Sequence, residues 1–221
     1  MTTTFLDSVL RRTRAGIGTF PYPHQAAALL DNPWRRKVEK PAHSIDVIEL
    51  AGTEHVLEIG PGAGYFSVEL ASRLPTGKLD LFDIQPQMLA KARRKLEVAG
   101  HHDVGYTAGQ AGAPLPFPAG TFDAAFLAEV IGEVPDKQAC VRSLAVVLKP
   151  GGKLVFHEAF LDPDRLSVAE LRALCEPAGF ILDRAERSRW KDIVRFRRTT
   201  VSRSSKAITN LDDTNTVIQK G

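Results

Sequence analysis

At 221 residues the chain is long enough for one domain with a sizeable core, and its 43% hydrophobic and 25% charged residues exclude a disordered or fibrous protein. A formal net charge of +3 demands no polyanionic partner, and two cysteines, Cys140 and Cys175, make no disulfide framework. The opening residues lack the basic and apolar regions of a signal peptide and no apolar run approaches the ~18 residues of a membrane span, so the cytoplasm is the simplest address.

In chain order, residues 5–52 read as a helical cover punctuated by Gly16, Gly18, Pro21 and Pro23. Residues 55–59 form a short apolar strand, 65–74 a helix, 79–82 a second strand, and 86–99 a helix with Leu89, Ala92, Leu96 and Ala99 on one stripe. A weaker strand follows at 104–107. Residues 122–128 are a nearly continuous apolar run, suited to a strand buried on both faces. Asp136 caps a helix over 136–148 whose Cys140, Leu144 and Val147 face inward. A strand at 153–157, a helix at 168–178 and strands at 180–184 and 193–197 complete the pattern. This alternation specifies an α/β, Rossmann-like three-layer sandwich. Its sheet is expected to have seven strands, mostly parallel with an antiparallel last strand, under the N-terminal cover. Residues 1–52 are thus expected as a cover or lid of the same domain, 53–200 as the domain proper, and 201–221, rich in Ser, Thr, Asn and Asp, as a flexible tail.

The segment Val56-Leu57-Glu58-Ile59-Gly60-Pro61-Gly62-Ala63-Gly64 ends a buried strand in three glycines spaced two apart, just before a helix. Glycine permits positive φ and close backbone approach, and a helix N-terminus offers N–H donors. Beyond strand C-termini is where open parallel sheets bind ligands. The competing reading is a turn that serves helix–strand packing alone. Asp83, at the end of the next strand, suits two ribose hydroxyls, or else caps the helix that follows. The spacing misses the dinucleotide fingerprint, whose third glycine would fall at Phe66 or Val68. Glu58, two residues before the first glycine, would repel a pyrophosphate and suits a ligand with a cationic amino group.

On these residues the chain resembles the class I S-adenosylmethionine-dependent methyltransferases, in the branch of the ubiquinone/menaquinone-biosynthesis and other small-molecule enzymes. Residues 56–64 look like the family's first motif and Leu81-Phe82-Asp83-Ile84 like its second. Leu115-Pro116-Phe117-Pro118 with Gly120-Thr121-Phe122-Asp123 and Leu148-Lys149-Pro150-Gly151-Gly152 look like the approaches to its fourth and fifth strands. The resemblance implies S-adenosylmethionine as cofactor. Glu58 would approach the methionine amino group, and Gly60, Gly62 and Gly64 would line the methionine and ribose. Asp83 would hold the ribose, Ile84 would pack on adenine, and Glu129 would line the pocket. Gln110-Ala111 stands where relatives often have Asp-Ala, which leaves the adenine contact without charge assistance.

The cofactor's methyl group is already activated, so the protein mainly aligns an acceptor, and a base helps only if the acceptor must lose a proton. His157 and Glu133 are the candidate catalytic groups, each with a structural role as the competing reading. Gly132-Glu133 replaces a His-containing segment of many relatives. Tyr22, His24 and Trp34 are candidate lid residues over an aromatic, quinone-like or lipid-like small-molecule acceptor; plain packing on the sheet competes with that role. No metal-ligand spacing is present. Nine basic residues between Arg184 and Lys206 read as a solvated strand face rather than a nucleic-acid site. A transient membrane-surface contact and a monomer or homodimer are compatible with the composition. A non-catalytic adenosylmethionine-binding regulator and, less readily, a nicotinamide-dependent oxidoreductase are the alternative functions.

Overall fold

A computed structural model describes residues 40–159, 164–188 and 190–200. The elements are α1 (Pro41–Asp46), β1 (His55–Ile59), α2 (Ser67–Ser72), β2 (Lys78–Asp83), α3 (Pro86–Val98), β3 (Val104–Ala108) and β4 (Phe122–Ala128). They continue with α4 (Lys137–Val147), β5 (Leu148–Ala159), α5 (Val168–Cys175), β6 (Phe180–Arg187) and β7 (Lys191–Arg198). One seven-stranded sheet runs in the order β3-β2-β1-β4-β5-β7-β6. The pairs from β3 to β5 are parallel, and β7 is antiparallel to both its neighbours. The expected sheet is therefore present, with the antiparallel strand last in sequence but inside the sheet rather than at its edge.

Two apolar layers cover the sheet. On one face, Val56, Leu79, Leu81, Phe126 and Val155 meet Ile45 of α1, Leu70 of α2 and Leu89, Ala92 and Leu96 of α3. On the other, Leu57, Ile59, Phe122, Leu127 and Phe156 meet Cys140, Val141 and Leu144 of α4 and Leu171 and Cys175 of α5. This is the two-fold alternation of a strand read directly from β1: Val56 and Glu58 share one face, Leu57 and Ile59 the other. The two cysteines are buried and free, and burial pushes the Cys140 thiol up to about 12, so both are inert packing groups.

Several bounds differ from the sequence pattern. The helix expected at 65–74 is only Ser67–Ser72, because residues 61–66 are consumed by the glycine turn. The strand expected at 153–157 extends over Leu148–Ala159, since Leu148 already pairs with Phe122 as soon as α4 ends. The helix expected at 168–178 tightens into a 3₁₀ turn at Glu176–Ala178, where Pro177 removes a donor and Gly179 closes the end at φ 91°. Asp136 caps α4 as expected, accepting from the Ala139 N–H at 2.7 Å. The basic C-terminal strands are not a bare cationic face. Arg195, 5% exposed, donates to Asp183 at 2.6 Å and to the Val47 carbonyl at 2.7 Å, and pairs with Glu49 at 2.8 Å. Arg197 shares Asp183, and Arg184 pairs with Glu49 and Glu186. The greater part of the expected helical cover, with Tyr22, His24 and Trp34, and the expected tail at 201–221 lie outside the described residues.

Candidate functional site

The parallel strands end along one edge, and polar groups stand at or beside their C-terminal ends: Asp83 is the last residue of β2, Glu58 the last but one of β1, Glu129 follows β4 and His157 lies two residues before the end of β5. The turn after each strand is pinned to its neighbour, by Gly60 N–H to the Phe82 carbonyl at 2.8 Å, Gly109 N–H to Asp83 at 3.0 Å and Glu129 N–H to His157 at 2.9 Å. The crevice lies where β1 and β4 meet, the point at which the crossover helices change faces.

Glu58 is 2% exposed and accepts from Ser67 Oγ, in the first turn of α2, at 2.6 Å. Burial pushes its carboxyl up to about 8; the Ser67 bond acts against this, and the nearby Asp83 charge adds to it. A carboxyl so placed is poised to ionise against an incoming cation. Asp83 is also buried, and burial raises it too, offset by backbone N–H bonds from Gln85, at 2.8 Å, and Gly62. Those two donors fix the carboxylate between the two turns. A carboxylate has about four lone-pair sites, so two acceptor positions are left for a diol. The Gln85 bond reaches the residue before α3 and none of the helix's own N–H groups, so Asp83 orders the turn into α3 and does not cap the helix.

The three glycines do different things. Gly60, at φ 66°, lies against Val130: a Cβ there would fall 2.4 Å from Val130 Cγ2. Its smallness serves packing between the β1 and β4 turns. Gly64 is pressed against Ala92 of α3, with a Cβ position 3.0 Å from the Ala92 Cα. Gly62, at φ 54°, has nothing within 4 Å of its Cβ position among the described residues, so its Cβ direction is open where those of Gly60 and Gly64 are filled.

Ile84, beside Asp83, keeps 49% of its surface exposed, an apolar plate at the edge of the crevice. Gln110 is exposed in the turn after β3, its carbonyl accepting from the Ala113 N–H at 3.1 Å, while Ala111 packs on the core. Glu133 is half-buried in the 3₁₀ turn Ile131–Glu133. His157 is fully buried inside β5, with Nδ1 3.0 Å from Ser44 Oγ, its ring 5.2 Å from that of Phe66, and Nε2 3.9 Å from Glu129 Oε1. Glu58, Asp83, Glu129 and His157 thus come together along one edge, with Glu133 on the turn that follows β4. Ser67, Ser44 and Val130 belong to the same constellation and are missed from sequence, because a serine in a first helical turn or a valine in a loop carries no distinctive pattern. Among the described residues no group of three or more His, Cys, Asp or Glu could hold a metal ion, and no helix is long and apolar enough to cross a membrane.

A separate cavity of about 270 Å³ lies at the opposite end of the sheet, lined by Glu54, Asp123, Lys149 and Lys153. Lys149 pairs with Asp123 at 2.7 Å and Lys153 donates to the Glu49 carbonyl, so these charges belong to the framework.

Residues 56–152 match the family model described as "Methyltransferase domain". Among curated proteins, the chain is 38% identical over 126 residues to the ubiquinone/menaquinone biosynthesis C-methyltransferase UbiE of Pasteurella multocida, covering 54% of this chain and 46% of that protein. It is 34% identical over 128 residues to the demethylmenaquinone methyltransferase of Thermus thermophilus, covering 58% and 54%. The chain spans about half the length of these relatives. Among solved structures, a SAM-dependent methyltransferase from Aquifex aeolicus superimposes with a TM-score of 0.73 at 22% identity, covering 80% of this chain and 99% of that one. The [4+2]-cyclase SpnF superimposes with a TM-score of 0.64 at 18% identity, covering 73% and 81%. The resemblance drawn from the sequence motifs is borne out.

Proposed function

We propose, from the class I methyltransferase domain formed by residues 56–152, that this chain moves a methyl group from S-adenosylmethionine to a small quinone-like, aromatic or lipid-like acceptor. The observation that carries the reading is the pair of buried carboxyl groups, Glu58 and Asp83, flanking an open glycine backbone at Gly62. A cationic amino group at Glu58 relieves the cost of that buried carboxylate, and a ribose diol fills the remaining acceptor sites of Asp83. A nicotinamide dinucleotide would set its pyrophosphate at the glycine turn beside the Glu58 carboxyl, which disfavours it. Ile84 offers the apolar surface for a flat base, and the exposed Gln110 lies within the neighbouring turn.

Adenosylmethionine, when bound, supplies a methyl group activated on a sulfonium. The protein's own residues then bind, orient and exclude water; alignment of this kind accounts for roughly 7–11 kcal/mol of barrier lowering. The quinone-like acceptor is supported by the names of the curated relatives, a ubiquinone/menaquinone biosynthesis C-methyltransferase and a demethylmenaquinone methyltransferase. SpnF, a cyclase on the same fold, shows why the fold alone does not carry that choice.

The test is calorimetric titration with S-adenosylmethionine and NADH, followed by transfer of labelled methyl from S-adenosylmethionine to a demethylmenaquinol analogue. Adenosylmethionine binding with label in the quinol supports the reading. NADH binding alone, or cofactor binding with no label transferred to quinols, phenols or lipids, overturns it.

A further inference from the structure

Two non-glycine residues among the described ones hold positive φ: Glu49 at 55° and Glu129 at 59°. Glu49 follows the end of α1, where the chain must turn, and its carboxylate clasps Arg195 and Arg184. Glu129 instead follows directly on the central strand β4, next to Val130, which packs against Gly60 of the β1 turn. A side chain held in the left-handed region costs stability, and such strain persists where the surroundings impose it, commonly at ligand sites.

What imposes it is visible. The Glu129 N–H is tied to the His157 carbonyl at 2.9 Å, and its Oε1 lies 3.9 Å from His157 Nε2. His157 Nδ1 meets Ser44 Oγ at 3.0 Å, and Lys191 Nζ donates to the same oxygen at 3.2 Å. Ser44 Oγ thus engages Nδ1, and Nε2 is the ring nitrogen that faces Glu129. Phe66 packs on both His157 and Phe126 and fixes the ring from below. In register, Phe126 lies beside Glu58 while Ala128 pairs with His157, so Glu129 stands one layer further out than Glu58 along the crevice. Its side chain is 21% exposed.

We propose that Glu129 is the carboxylate facing the methyl-transfer point, and that His157 is a positioning residue which holds it there. This rests on the reading of the crevice as an adenosylmethionine site. Glu58 answers the amino group at the inner end of the ligand and Asp83 its ribose; Glu129 answers the reacting centre. A carboxylate at that position favours acceptors that arrive neutral or cationic and disfavours those that present a carboxylate or phosphate to the methyl group.

The test needs no acceptor. Sinefungin carries an ammonium group where the transferred methyl sits, whereas S-adenosylhomocysteine has nothing there. The wild-type chain is expected to bind sinefungin more tightly than S-adenosylhomocysteine. In Glu129→Gln the sinefungin affinity is expected to fall about tenfold or more, with the S-adenosylhomocysteine affinity changed less than about threefold. His157→Gln, which keeps a donor near the Nε2 position, should retain the preference; His157→Phe, which keeps a ring without a donor, should lose it. Glu129→Gly relieves the backbone and is expected to raise Tm by about 2–4 °C while abolishing the preference. Equal binding of the two analogues by the wild type, or parallel losses in Glu129→Gln, overturns the proposal. Failure of the wild type to bind either compound removes the cofactor reading itself, and the proposal with it.

Discussion

Asp83 and Glu58 show how far a single residue speaks from sequence. Position alone, at the tips of two adjacent strands, marked both as candidate ligand groups. Their protonation was not legible, because it depends on burial and on Ser67, which lies nine residues from Glu58. Replacing Asp83 by Ala removes up to two charge-assisted bonds of ~1.5–3 kcal/mol each, so S-adenosylmethionine affinity should fall about 100-fold or more by calorimetry. Glu58 makes a prediction in pH. Its folded carboxyl titrates near 8 against an ordinary value of 4.5. Between those values the folded state binds more protons than the unfolded one, so ligand-free stability is greatest below pH 4.5 as far as this group is concerned and declines up to about pH 8. At about 1.4 kcal/mol per pKa unit the decline amounts to a few kcal/mol. Thermal melts of the ligand-free protein should show Tm dropping over that interval, and Glu58→Gln should flatten the slope while weakening cofactor binding. A Glu58→Gln variant with an unchanged slope would refute the assignment.

At the scale of elements, the strand-to-helix turns were the most legible parts and also the ones whose purpose shifted most. Three glycines in a row of alternate positions announced a ligand turn. Gly60 and Gly64 also make room for Val130 and Ala92, while the Cβ direction of Gly62 is open among the described residues. Sequence spacing could not distinguish these cases, since Val130 and Ala92 come from elements dozens of residues away. The difference is testable. Gly60→Ala meets both a positive φ and Val130, and should lose about 1–3 kcal/mol of stability in urea melts. Gly62→Ala meets the positive φ alone; it should cost about 1 kcal/mol of stability while S-adenosylmethionine affinity drops tenfold or more, as measured by calorimetry. Equal effects of the two on binding would show that ligand contact is not confined to Gly62. The strand ends were the least legible: β5 gains residues on both sides because hydrogen-bonding partners, Phe122 and Lys191, extend it beyond its apolar run.

For the whole molecule, alternation of apolar strands and amphipathic helices was enough to read a doubly wound sheet, because a strand buried on both faces leaves few other arrangements. The ion network at the sheet's antiparallel end was not readable. A run of arginines looks solvated until its acidic partners, Glu49 and Asp183, are placed beside it by folding. Arg195 joins the two C-terminal strands to the segment after α1, and Arg195→Met would leave the partly buried Asp183 carboxylate without its 2.6 Å partner. Chemical denaturation should register a loss of about 3–5 kcal/mol. A loss below about 1 kcal/mol would mean that Arg197 takes over Asp183 entirely.

The place of β7 between β5 and β6 has a consequence for biosynthesis. As the polypeptide leaves the ribosome, β6 emerges before the strand that is its one neighbour among the described residues, and β5 stays open along one side until residues 191–198 are out. Lys191, Ser44 and His157 meet only at that moment. A nascent chain halted anywhere between the completion of β5 and the emergence of β7 displays a bare β-edge, a hazard for self-association, so stalls in that interval should be more damaging than stalls after residue 198 has emerged and β7 has paired.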